Sequence, residues 1–134
     1  MTQDLADPHS VALNPAASRN VMILEDEIII ALDLAGLLED LGFVVVKMAN
    51  RVDTAIDFVT AGALDLAILD MNVRDTLSFP VAAILRDRGI PFLFVSGYGK
   101  RGLIDGFEDA HVLTKPYSAE TLGQMVAVAM TAAA

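Results

Sequence analysis

Two short apolar runs in this chain end in acids. Asn20-Val-Met-Ile-Leu closes on Glu25-Asp26, and Asp65-Leu-Ala-Ile-Leu closes on Asp70. A third run, Pro91-Phe-Leu-Phe-Val, closes on the hydroxyl of Ser96, and a fourth, Val112-Leu-Thr114, is followed by Lys115-Pro116. If the runs lie side by side, three carboxylates, a hydroxyl and an amine meet at one edge. Carboxylates that close together repel by roughly 4 kcal/mol per pair at an effective dielectric near 20. The cluster therefore needs raised pKa values or a divalent cation. Oxygen ligands without His or Cys favour Mg2+, which binds through one or two carboxylates and retains waters. Such an ion also neutralises an incoming phosphoryl group. Asp70 is then placed as a nucleophile toward phosphorus, with Lys115 and Ser96 available to the phosphoryl oxygens. Taken singly, each residue has an ordinary reading. Asp70 is a turn residue, Glu25-Asp26 favour the dipole of the following helix, Lys115 is a solvated charge and Ser96-Gly97 is a turn. Order and spacing carry the argument.

The segments between these runs say how the residues are positioned. Glu27 to Leu41 has apolar residues at helical spacing and stops at Gly42, a natural cap. Phe43 to Met48 is β-branched and predicts a strand, Val52 to Ala63 a second helix. A third helix starts near Ser78, with Pro80 in its first turn, and ends at Gly89. Lys100 to Asp109 is a weak helix at best, because Gly102 and Gly106 interrupt it. Ser118 caps a last helix with Leu122, Met125, Val126, Ala129 and Met130 on one face. Five strand–helix units with short, nearly all-apolar strands predict an α/β fold: a doubly wound five-stranded parallel sheet with helices on both faces. In strand order 2-1-3-4-5 the first and third strands are neighbours. Glu25, Asp26 and Asp70 then converge at the carboxyl edge, where such sheets carry their sites.

Composition narrows the function. A chain of 134 residues, 54% hydrophobic, holds one domain with a sizeable core. Residues 1 to 19 are polar, with Pro8 and Pro15, and are expected to form a flexible arm; residues 20 to 134 are the domain. No internal repeat, linker or second domain is expected. The formal charge of −9 and the lack of any Lys/Arg cluster larger than Lys100-Arg101 argue against nucleic acid. No run spans a bilayer and no secretory signal is seen, so no membrane association is expected. The absence of cysteine removes disulfides and thiolate metal sites and fits a cytoplasmic protein.

Over about Asn20 to Met130 the chain resembles the receiver (CheY-like, flavodoxin-like) domains of two-component response regulators. The matching residues are Glu25-Asp26, Asp70 in Leu69-Asp-Met-Asn72, Ser96 and Lys115-Pro116. The resemblance implies a phosphoacceptor at Asp70 and Mg2+ ligation by Asp26 and Asp70 and by the backbone carbonyl of Asn72, with Glu25 acting through water. It also implies a cis peptide before Pro116. The donor would be a histidine kinase or a histidine phosphotransfer protein. The chain would be a monomer or weak dimer, and no enzyme beyond catalysing its own phosphorylation and dephosphorylation. Phe94-Val-Ser-Gly-Tyr-Gly99 further resembles the FATGUY subgroup of stand-alone receivers.

One position departs from the family. Receivers commonly carry Tyr or Phe three residues before the lysine, and here Val112 stands there. Tyr98 is the expected substitute sensor. An alternative class, the haloacid-dehalogenase-like phosphohydrolases, also uses an Asp nucleophile with Mg2+. It needs a second Asp two residues on, where this chain has Asn72. A non-phosphorylatable scaffold is argued against by the intact acid pocket and lysine. In the first helix, Ile29, Ile30, Leu34, Leu37, Leu38 and Leu41 suffice for a core-facing stripe. Ile28, Ala31, Leu32 and Ala35 form a second stripe, expected to dock the phosphodonor.

Overall fold

The structure, a computed structural model, describes residues 19–132. Residues 1–18 of the expected arm lie outside them. Arg19 is described: its carbonyl accepts the Val44 N–H at 2.8 Å, and its guanidinium lies 5.6 Å from the Phe43 ring centroid.

The chain runs β1 (Asn20–Leu24), α1 (Ile28–Asp40), β2 (Val44–Ala49), α2 (Val52–Ala61), β3 (Leu66–Asp70), β4 (Asn72–Val73), β5 (Thr76–Leu77), α3 (Phe79–Asp87), β6 (Phe92–Ser96), a 3-10 turn (Gly99–Gly102), β7 (Val112–Thr114) and α4 (Ala119–Ala132). Five strands form a parallel sheet in the order β2-β1-β3-β6-β7, the topology expected. Alternation along each strand divides the core in two. Met22, Leu24, Ala67, Leu69, Phe94 and Val112 face α2 and α3, meeting Val52, Ala55, Val59, Phe79, Ala82 and Leu85. Val21, Ile23, Leu66, Ile68, Leu93, Val95 and Leu113 face α1 and α4, meeting Ala31, Leu34, Leu38, Leu122 and Val126. Both faces are covered, which is why these strands are apolar throughout.

Helix ends follow local chemistry. Gly42 takes φ 96° after α1, and the Phe43 N–H returns to the Leu38 carbonyl at 3.0 Å. Gly89 takes φ 72° after α3, and the Ile90 N–H returns to Leu85 at 2.9 Å. Both are the left-handed cap that glycine adopts without a Cβ penalty. The Ser118 hydroxyl accepts the Thr121 N–H at 3.1 Å and opens α4.

The structure corrects two expectations and adds one element. The fourth unit contains no α-helix: after β6 the chain makes the single 3-10 turn and further turns to Ala110. Phe107 anchors this stretch, buried against Phe79 and Phe94, with the Arg86 guanidinium 4.3 Å from its ring centroid. The α1 stripe is also rotated. Ala31, Leu34, Ala35 and Leu38 are buried, at the i, i+3, i+4, i+7 spacing of one face. The small alanines let the helix approach the sheet, leaving Ile28, Ile29 and Leu32 at 62%, 74% and 55% exposure. Finally, β4 and β5 form a small antiparallel hairpin directly after Asp70. Its two-residue turn holds Arg74 and Asp75 at φ 52° and 64°. Among the described residues no helix is long and apolar enough to cross a membrane.

Candidate functional site

Register sets the site. β1 and β3 pair with Leu24 opposite Leu69, so Glu25 and Asp70 leave the sheet at the same level. The Glu25 N–H donates to the Ala49 carbonyl of β2 at 2.9 Å, which holds the end of β1 in place. On the other side Asp70 pairs with Val95, and Ser96 follows at the end of β6. The Lys115 N–H donates to the Ser96 carbonyl at 2.9 Å, tying the lysine to the same edge. The peptide between Lys115 and Pro116 is cis.

Carboxylate oxygens of Glu25, Asp26 and Asp70 all lie within 4.8 Å of one another. Two oxygens on opposite sides of an octahedral Mg2+ stand about 4.2 Å apart, so the three fit such an ion with small side-chain movements. Lys115 Nζ is 3.4 Å from Asp70 Oδ2 and 3.9 Å from Glu25 Oε1. One ammonium therefore pairs with two of the three clustered acids, and the remaining charge suits a divalent cation. Burial pushes the Glu25 carboxyl up to about 7; the Glu27 N–H opposes this, Asp70 adds to it, and Lys115 also opposes it. Burial likewise raises Asp70, against the pull of Lys115.

The remaining expected site residues are found nearby. Asn72 begins the β4 hairpin, and its backbone N–H helps hold the Asp70 carboxyl down against the effect of burial. Ser96 is 5% exposed, and its hydroxyl accepts the Tyr98 N–H at 3.0 Å. Tyr98 itself is 74% exposed. Val112 is buried in the phenylalanine cluster of Phe79, Phe94 and Phe107. The sequence reading passed over Tyr117, whose half-buried phenol is raised by burial and then by Asp33, Glu25 and Asp70. Its signal was only its place next to Pro116. A cavity of about 390 Å3, lined by Arg86, Phe92, Phe107 and His111, lies at the other end of β6 and shares no residue with the acid cluster.

Comparison with known proteins extends this. No family model matches the chain. The chain is similar to SdrG from Sphingomonas melonis Fr1, with 35% identity and a TM-score of 0.76 over 86% of this chain and 98% of that one. It is also similar to the PhyR response regulator REC domain of Erythrobacter litoralis, at 25% identity and a TM-score of 0.75, covering 88% and 94%. Among curated proteins it matches the transcriptional regulatory protein PdtaR of Mycobacterium tuberculosis, 29% identical over 87% of this chain. It spans 58% of that relative's length.

Proposed function

The chain belongs to the response regulator receiver domains, and from that premise we propose that it accepts a phosphoryl group on Asp70 from a histidine-phosphorylated donor. The observation that carries this reading is the convergence of Glu25, Asp26 and Asp70 within 4.8 Å, with Lys115 at 3.4 Å from Asp70. An Asp70 oxygen attacks phosphorus, and the P–N bond to the donor imidazole breaks with its electron pair going to nitrogen. Lys115 and the Ser96 hydroxyl hold the phosphoryl oxygens as charge moves onto them. The Ser96 hydroxyl accepts the Tyr98 N–H through a lone pair, which leaves its proton to donate to a phosphoryl oxygen. Asp26, Asp70 and the Asn72 carbonyl would hold Mg2+, with Glu25 acting through water, and the ion would supply neutralising charge at the phosphoryl oxygens.

The protein in this reading is cytoplasmic and turns over no separate substrate. It catalyses only its own phosphorylation and dephosphorylation, and signals by protein contact or onward transfer. The donor is a histidine kinase or phosphotransfer protein, docking on Ile28, Ile29 and Leu32, which are exposed at the start of α1 beside Asp26. Phosphorylation with purified kinases and Mg2+ tests the assignment. The parent is expected to take up acid-labile phosphate and Asp70→Asn to take up none. Equal labelling of the two proteins overturns it.

A further inference from the structure

Gly102 ends the 3-10 turn, and its backbone lies directly on Met71, the residue after the acceptor. A Cβ at Gly102 would stand 2.5 Å from Met71 Sδ, 3.6 Å from Met71 Cε and 3.8 Å from Ser96 Oγ. Any side chain there must displace the thioether or lift the turn. Gly97 and Gly106 have open space at the same position and Gly99 meets only Thr114 Oγ1 at 3.3 Å, so within this stretch the tightest approach is at Gly102. Met71 is buried, and its backbone is held fast. It is 4% exposed, its N–H donates to Val95 at 2.9 Å, and its carbonyl accepts the Ser78 N–H at 2.9 Å. The turn thus closes the corner between β3 and β6, where Asp70 and Ser96 are 9% and 5% exposed. Leu103, the next residue, packs on the same core as Met71.

We propose that Gly102, seated on Met71, is a positioning residue that limits the access of water to phosphorylated Asp70 and so sets the lifetime of the phosphoryl group. This rests on the phosphoacceptor reading above. In the loss step, water attacks phosphorus and the aspartyl O–P bond breaks. Its electron pair returns to the carboxylate, the water proton passes to solvent, and inorganic phosphate leaves. A seated turn excludes the attacking water; a lifted one admits it.

The test is a double-mutant cycle on the whole chain, phosphorylated with acetyl phosphate and Mg2+ and then freed of donor. Decay of the aspartyl phosphate is expected to be about threefold faster or more in Gly102→Ala. It is also expected to be faster in Met71→Ala, which opens the same contact from the other side. The double variant is expected closer to the parent than either single one, because the new Cβ takes up space that the thioether vacates. Mg2+ affinity is expected to be unchanged in Gly102→Ala. Parent-like decay in Gly102→Ala, or single effects that simply multiply in the double variant, overturns the proposal. If Gly102→Ala does not fold, parent-like decay in Met71→Ala overturns it alone. A parent that takes up no phosphoryl group overturns the acceptor reading and this inference together, whereas a phosphorylated parent with an unaffected Gly102→Ala overturns only the latter.

Discussion

Glu25 has little access to water and shares its corner with two other acids. Its carboxyl is raised to about 7, chiefly by burial, and Asp70 is raised for the same reason. In the unfolded chain both titrate near 4. Between about pH 4.5 and about pH 7 the folded state therefore binds more protons than the unfolded one, and stability falls as pH rises through that window. Mg2+ needs the ionised oxygens and acts in the opposite sense. The metal-free protein is expected to melt at a lower temperature at about pH 7.5 than at about pH 5, and saturating Mg2+ to reverse that order. Glu25→Gln is expected to flatten the metal-free slope. Calorimetry finding the same slope in Glu25→Gln and parent contradicts the assignment to Glu25.

At the scale of elements, α1 has two distinct faces. Its buried face is built from Ala31, Leu34, Ala35 and Leu38, and its exposed start carries Ile28, Ile29 and Leu32. Leu32 is 55% exposed, so a charge there leaves the core untouched, whereas a charge at the buried Ala35 does not. Leu32→Glu is expected to slow phosphotransfer from a cognate kinase about tenfold, or roughly 1.4 kcal/mol of docking. Acetyl phosphate needs no docking and is expected to react with Leu32→Glu at the parent rate. Equal slowing with both donors makes this face structural. The stretch from Gly97 to Ala110 makes a contrasting element. It is secured by Phe107 under Arg86 and by Gly102 on Met71 rather than by a helix of its own.

At the scale of the molecule, the sheet and the convergence of acids were legible because they follow from short apolar runs and their terminal residues. Leu24, Leu69 and Val95 bury as any strand residue would, and Glu25, Asp70 and Ser96, which follow them, are carried to one edge by register alone. What stayed hidden depended on distance in space. The β4–β5 hairpin turns through Arg74-Asp75 instead of the Asn-Gly or Asp-Gly pair that usually marks such turns. The rotation of α1 was set by two alanines, which periodicity alone could not rank against Ile29 and Ile30. The seat of Gly102 on Met71 joins residues far apart in the chain, and in the sequence it is only one glycine among nine. The half-buried Tyr117 phenol, raised by burial and by the charges of Asp33, Glu25 and Asp70, has an optical consequence. The chain has no tryptophan and two tyrosines, so its near-ultraviolet emission comes from Tyr98 and Tyr117 alone. An ionised carboxylate takes up the proton of an excited phenol and dims it, and a cation on that carboxylate relieves the quenching. Adding Mg2+ is expected to brighten the parent and to leave Tyr117→Phe, lit only by Tyr98, unchanged. Equal brightening in both proteins would mean that Tyr117 does not sense the acids. Otherwise the phenol is an intrinsic lamp whose intensity reads out the charge state of the acid edge, with no label attached.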